Sequence, residues 1–162
     1  MRDQLEKGAL EHAARTTVAA LASLLVARAC RLPEAYWAVI TTMVVMQSTL
    51  GASWLISTRR LAGTALGAAV GALLGSFFGQ NLLAFGAGLF LLGVICAALG
   101  RAYRSLQEHL DRTAYRFAGI TLAITMLIAR PTALWIVAIH RFVEVSVGIA
   151  VGLIMTVLWP ER

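Results

Sequence analysis

From Leu61 to Gly100 the chain runs for forty residues without one Asp, Glu, Lys or Arg. A bilayer accommodates such a run at about 20 residues per helical crossing, whereas a small soluble domain has no core large enough to hide it. Forty residues exceed one crossing, and the only strongly polar step inside the run is Gly79-Gln80-Asn81. The stretch therefore predicts a helical hairpin over 61–79 and 82–100. Composition points the same way. The AVILMFWYC set makes up 59% of the chain, 14% is charged and mean hydropathy is +0.78, against roughly 45–50% apolar and 25% charged in globular domains. A large soluble enzyme domain is excluded.

Four further spans follow from the same logic. Residues 10–31 form a span if Arg15 and Arg28 reach the two interfaces with their long side chains. Ala35 to Thr58 carries no charge and opens on the interfacial aromatics Tyr36 and Trp37, which predicts a span over 36–57. Residues 115–130 and 141–159 supply the last two. Between them all, Arg101 to Arg116 is the one long charged connection, and 101–114 reads as an amphipathic surface helix. The expected fold class is all-α, an integral membrane bundle of six transmembrane helices with no soluble domain, preceded by a short N-terminal segment, 1–9.

Fourteen Lys and Arg against eight Asp and Glu give a net charge of +6, which here reports topology. With both termini cytoplasmic, Arg2, Lys7, Arg15, Arg59, Arg60, Arg101, Arg104, Arg112, Arg116 and Arg162 lie inside. Arg28, Arg31, Arg130 and Arg141 lie outside, and this excess of inner cations favours N-in, C-in. No basic stripe interleaved with aromatics suits a nucleic acid. Cys30 and Cys96 form no CxxC, the three histidines are scattered, and HExxH, GxSxG and a phosphate loop are absent, so neither an enzyme, a metal site nor a cofactor is expected.

Arg60, Gly67, Val70 and Gly71 recur as Arg141, Gly148, Val151 and Gly152, half a chain length later. Three spans per half would make this a 3+3 inverted repeat, the plan of many transporters; chance likeness between small-residue helices is the other reading. Gly63, Gly67, Gly71, Gly75 and Gly79 recur every fourth residue, and with Gly148 and Gly152 they read as packing seams, because helices in lipid associate through small residues.

The candidate path residues are polar groups inside spans. Glu144 lies 15 residues before Trp159, about 22 Å into a core about 30 Å thick, with Arg141 and His140 on the same helical face. It is either a functional intramembrane carboxylate or a salt-bridged residue at an outer helix end. Thr42, Thr49 and Ser53 share one face of the 36–57 helix, with Gln47 near mid-membrane beside them, and either line a wet path or bond neighbouring carbonyls. Arg60 and Arg141, at opposite ends of one path, would be two cationic patches that attract anions, or else interfacial anchors.

Pro33-Glu34-Ala35-Tyr36-Trp37-Ala38, Met46-Gln47, Arg59-Arg60-Leu-Ala-Gly63-Thr64-Ala-Leu-Gly67, Arg141-Phe-Val-Glu144 with Gly148, and Trp159-Pro160 together resemble the fusaric acid resistance (FUSC) or aromatic acid exporter group. The plant aluminium-activated malate transporters are more distantly similar. The resemblance covers Arg15 to Pro160. It implies a six-helix module of the bacterial inner membrane with cytoplasmic ends, serving efflux or passive permeation of organic anions such as aromatic carboxylates. Larger members add a cytoplasmic domain or a second membrane half, so a single module is expected to form a homodimer. By position, Arg60 and Arg141 are the anion contacts and Glu144 tunes them. A non-transporting scaffold or accessory subunit, docking a partner on the glycine stripe, is the alternative.

Overall fold

The computed structural model describes residues 2–47, 49–102, 112–128 and 133–160, with the side chains of 2–7 left aside. Among them are six helices and no strand: α1 (Arg2–Ala29), α2 (Tyr36–Val45), α3 (Leu50–Phe78), α4 (Leu82–Ala102), α5 (Arg112–Leu127) and α6 (Leu134–Leu158). Three of them, α3, α4 and α6, are long and apolar enough to cross a membrane. Their outer faces carry large bare apolar side chains, Leu83 at 83% and Phe90 at 76% exposure among them, where a soluble monomer would show scattered patches. The amphipathic segment expected over 101–114 lies mostly outside the described residues.

Helix ends follow local chemistry. α1 closes in a Schellman turn, with Arg31 N–H donating to Arg28 O at 2.9 Å and Leu32 N–H to Ala27 O at 3.0 Å. Arg31 takes the left-handed position there at φ +54°, where glycine is the usual occupant. The turn between α3 and α4 is the polar step 79–81. Gly79 adopts φ +59°, and Asn81 Oδ1 caps α4 by accepting from Leu83 N–H at 2.8 Å and Ala84 N–H at 3.2 Å.

The chain folds as two compact units, residues 1–57 with 144–162 and residues 58–143. In the first, α2 runs parallel to the second half of α6. Gly148 meets Ala38 and Thr41, Gly152 meets Val45, and Thr156 Oγ1 donates to Met46 Sδ at 3.6 Å. In the second unit, α3 runs parallel to α5. Gly63 meets Ala114 and Phe117, Gly67 meets Ala118, and Gly71 meets Thr125, where an added Cβ would stand 2.9 Å from the threonine's Cβ. Leu92, Ala118, Leu122 and Met126 form this unit's core, with Leu66, Val70, Leu74 and Phe85 packed around them.

Two expectations change here. The helix predicted over 36–57 is interrupted: α2 stops at Val45, Met46 turns to extended backbone at ψ 108°, and α3 then runs unbroken from Leu50 through Arg59-Arg60 to Phe78. Hydropathy cannot see this, because the corner at Met46-Gln47 has no charge and Arg59-Arg60 has two. Gly79 leaves the predicted seam as well. Nothing lies within 4 Å of where its Cβ would be, and its place is the turn.

Candidate functional site

In the first unit, charge is buried at two levels. Arg15 is fully buried and donates through Nη2 to Gln47 O at 2.7 Å and through Nη1 to Trp159 O at 3.0 Å. Both carbonyls sit just past helix C-termini, those of α2 and α6, so one guanidinium faces the negative ends of two parallel helix dipoles. Trp159 Nε1 donates in turn to Glu11 Oε1 at 3.2 Å. The sequence reading had Arg15 reaching out to an interface; its acceptors lie 32 and 144 positions away, and no local pattern announces them.

The polar residues of 36–57 serve this corner rather than a continuous stripe. Thr42 Oγ1, fully buried, donates within reach of Ala38 O at 2.9 Å and Gly148 O at 3.0 Å, which joins α2 to α6. Gln47 N–H donates to the buried Ser53 Oγ at 3.1 Å, and Gln47 Nε2 to Val44 O at 3.1 Å. Thr49 Oγ1 accepts from Ala52 N–H at 3.3 Å and caps α3. Because the helix breaks at Met46-Gln47, Thr42 lies on α2 while Thr49 and Ser53 belong to the start of α3. Gln47 is correspondingly a residue just past the C-terminal end of α2, sharing the Arg15 guanidinium with Trp159.

The second level is Glu144. It is 1% exposed, eleventh of the 25 residues of α6, and its Oε1 accepts Glu34 N–H at 3.0 Å, just ahead of α2. Glu144 is therefore not at a helix end: α6 begins at Leu134, ten residues upstream of it. The carboxylate sits at the positive end of α2, where a negative charge is favoured.

In the second unit, Arg60 and Arg141 come together. They are 5% and 2% exposed, and each guanidinium lies within electrostatic range of the other. The sequence reading put them at opposite ends of a path. α3 and α6 run antiparallel in this unit, however, Gly75 meeting Leu134, and that brings position 60 back towards 141. The Arg60 guanidinium also lies 4.8 Å over the Phe117 ring, one turn into α5, a cation–π contact. Phe117 was not a candidate in the sequence, since an aromatic in an apolar helix carries no signal of its own. Arg60 and Arg141 are thus two like charges held in a buried setting, near the first turns of α5.

Two grooves are wholly apolar and suit acyl chains rather than ions: one of about 650 Å³ by Trp54 and Ile154, one of about 370 Å³ by Ala68 and Trp135. No group of metal-ligating side chains occurs among the described residues.

The sequence profile described as fusaric acid resistance protein-like matches residues 19–155. The chain belongs to that family. Among curated proteins it is 34% identical over 156 residues to the uncharacterized transporter YdhK of Escherichia coli K12, and 32% identical over 160 residues to the protein of that name from Salmonella typhimurium. These alignments take in 93% and 95% of this chain but 22% and 23% of the relatives, so the chain spans about a fifth of their length. No solved structure matches. The relatives are named as uncharacterized transporters, and α3, α4 and α6 of this chain have the length and apolar character to lie across a lipid bilayer.

Proposed function

We propose that this module conducts organic anions, aromatic carboxylates foremost, out of the cell across the bacterial inner membrane. The observation that carries the reading is the pair of buried guanidiniums, Arg60 and Arg141, with the Phe117 ring against one of them. A carboxylate between two arginines offsets their repulsion, and an aromatic body finds a ring to pack against. Six spans with both termini cytoplasmic, assembled as a homodimer, form the frame of this proposal.

The proposed inverted repeat is supported by the contacts within each unit. Glu144 with Glu34, Gly148 with Ala38 and Gly152 with Val45 become Gly63 with Ala114, Gly67 with Ala118 and Gly71 with Thr125 when the first partner moves back 81 residues and the second forward 80. In each unit, the long third helix of one half lies against the second helix of the other. The scaffold reading loses its main argument, because the glycine seam meant for a partner is occupied by α5 of the same chain.

Flux of benzoate-type and dicarboxylate anions into proteoliposomes, with imposed pH and voltage gradients, tests the proposal. Saturable flux that falls at least tenfold in Arg60→Ala and in Arg141→Ala is the expected result, about 1.4 kcal/mol per factor of ten. Variants that insert and transport as well as the parent would overturn it.

A further inference from the structure

The two units finish their helices differently. In the first, the end where α2 and α6 stop is tied by polar side chains. Arg15 donates to Gln47 O at 2.7 Å and to Trp159 O at 3.0 Å. Gln47 N–H donates to Ser53 Oγ at 3.1 Å, Thr156 Oγ1 lies 3.6 Å from Met46 Sδ, and Trp159 Nε1 donates to Glu11.

The shifts that relate the contacts of the two units, 81 residues between α6 and α3 and 80 between α2 and α5, carry each of these residues to a counterpart in the second. Trp159 becomes Phe78, Thr156 becomes Gly75, Ser53 becomes Leu134, and Met46-Gln47 becomes Met126-Leu127. The counterparts meet as the originals do, Gly75 facing both Met126 and Leu134. The packing is repeated and the polar ties are not, because Phe, Gly and Leu side chains hold no donor or acceptor. α4 packs on α5 as α1 packs on α2, yet from Leu82 to Gly100 it has no charged residue to stand for Arg15. Phe78 is 59% and Leu127 42% exposed, where Arg15 is fully buried.

We infer that Arg15 is a latch that holds the α2–α6 end of the first unit closed, and that the matching α3–α5 end of the second unit is the one that opens. Two equal repeats would open their ends at equal cost. Charge-assisted hydrogen bonds from one buried guanidinium to two helix ends raise that cost in the first unit alone. The inference rests on the repeat of the proposed function and adds to it which end yields.

Hydrogen–deuterium exchange of the full chain in lipid nanodiscs, read by mass spectrometry, tests the latch. The amides that close the helices are matched probes. Met46 N–H donates to Thr42 O and Trp159 N–H to Met155 O in the first unit, and Gly79 N–H to Gly75 O in the second, each at 2.9 Å. In the parent, Met46 and Trp159 should be protected at least about tenfold more than Gly79. Arg15→Met should bring both down to the level of Gly79 and leave Gly79 as it was. Arg15→Lys, which keeps the charge and loses the two-pronged donor, should fall between parent and Arg15→Met. The parent comparison stands even where a variant does not fold.

Three results would overturn the latch. They are equal protection of the two ends in the parent, exchange at Met46 and Trp159 that Arg15→Met leaves unmoved, or a Gly79 that speeds up with them, which would make Arg15 a prop of the whole fold. The flux assay reports separately. No flux with unequal ends would sink the transport reading alone, and flux with equal ends would sink the latch alone.

Discussion

Glu144 concentrates the chemistry of the first unit in one side chain. Its carboxylate is buried, far from either end of α6, and accepts a backbone N–H at the start of α2. Glutamine keeps an oxygen in that place and removes the charge, so Glu144→Gln should insert and fold as the parent does. If Glu144 carries the coupling proton, the variant loses flux driven by a pH gradient and keeps flux driven by voltage. Unchanged pH dependence, measured in the same vesicles, would remove Glu144 from the coupling. Its distance along the helix from Trp159 was legible from a count of residues, because helical rise is uniform. Its hydrogen-bond partner was not, since Glu34 lies 110 positions away.

At the scale of elements, the glycines divide into two kinds that look identical in sequence. Gly67 faces the Ala118 carbonyl so closely that any Cβ would collide with backbone, whereas Gly79 has open space and a left-handed φ. Gly67→Leu should part α3 from α5 at a cost of at least about 1–3 kcal/mol, seen as early thermal aggregation in detergent. Gly79→Ala should cost about 1–2 kcal/mol through backbone strain alone and leave the seam intact. Equal losses in the two variants would contradict the division. The four-residue period announced a seam, and the seam includes Gly63, Gly67, Gly71 and Gly75; a period carries no information about where a helix stops. The same limit hid the Met46-Gln47 corner, which no charge, proline or glycine marks, and which the tertiary partners Arg15 and Ser53 hold.

For the whole molecule, the proposed topology predicts that reporters fused at either terminus are active only when cytoplasmic, in an intact bacterial cell. A reporter at one end that is active only outside would imply an odd number of spans and reverse the charge argument. The sequence by itself determined the environment and the class of fold. Forty charge-free residues and a scarcity of charge leave a helical membrane protein as the solution, because in lipid every backbone polar group must bond within the chain. It also carried the family, through short motifs in order. Tertiary structure alone decided which charges meet. The charge of Arg141 acts on Arg60 because two long helices run antiparallel, and Arg15 is buried because two helix ends converge on it. Electrostatic and hydrogen-bond partners are chosen by distance in space, and across helices folded back on one another that distance is unrelated to separation along the chain.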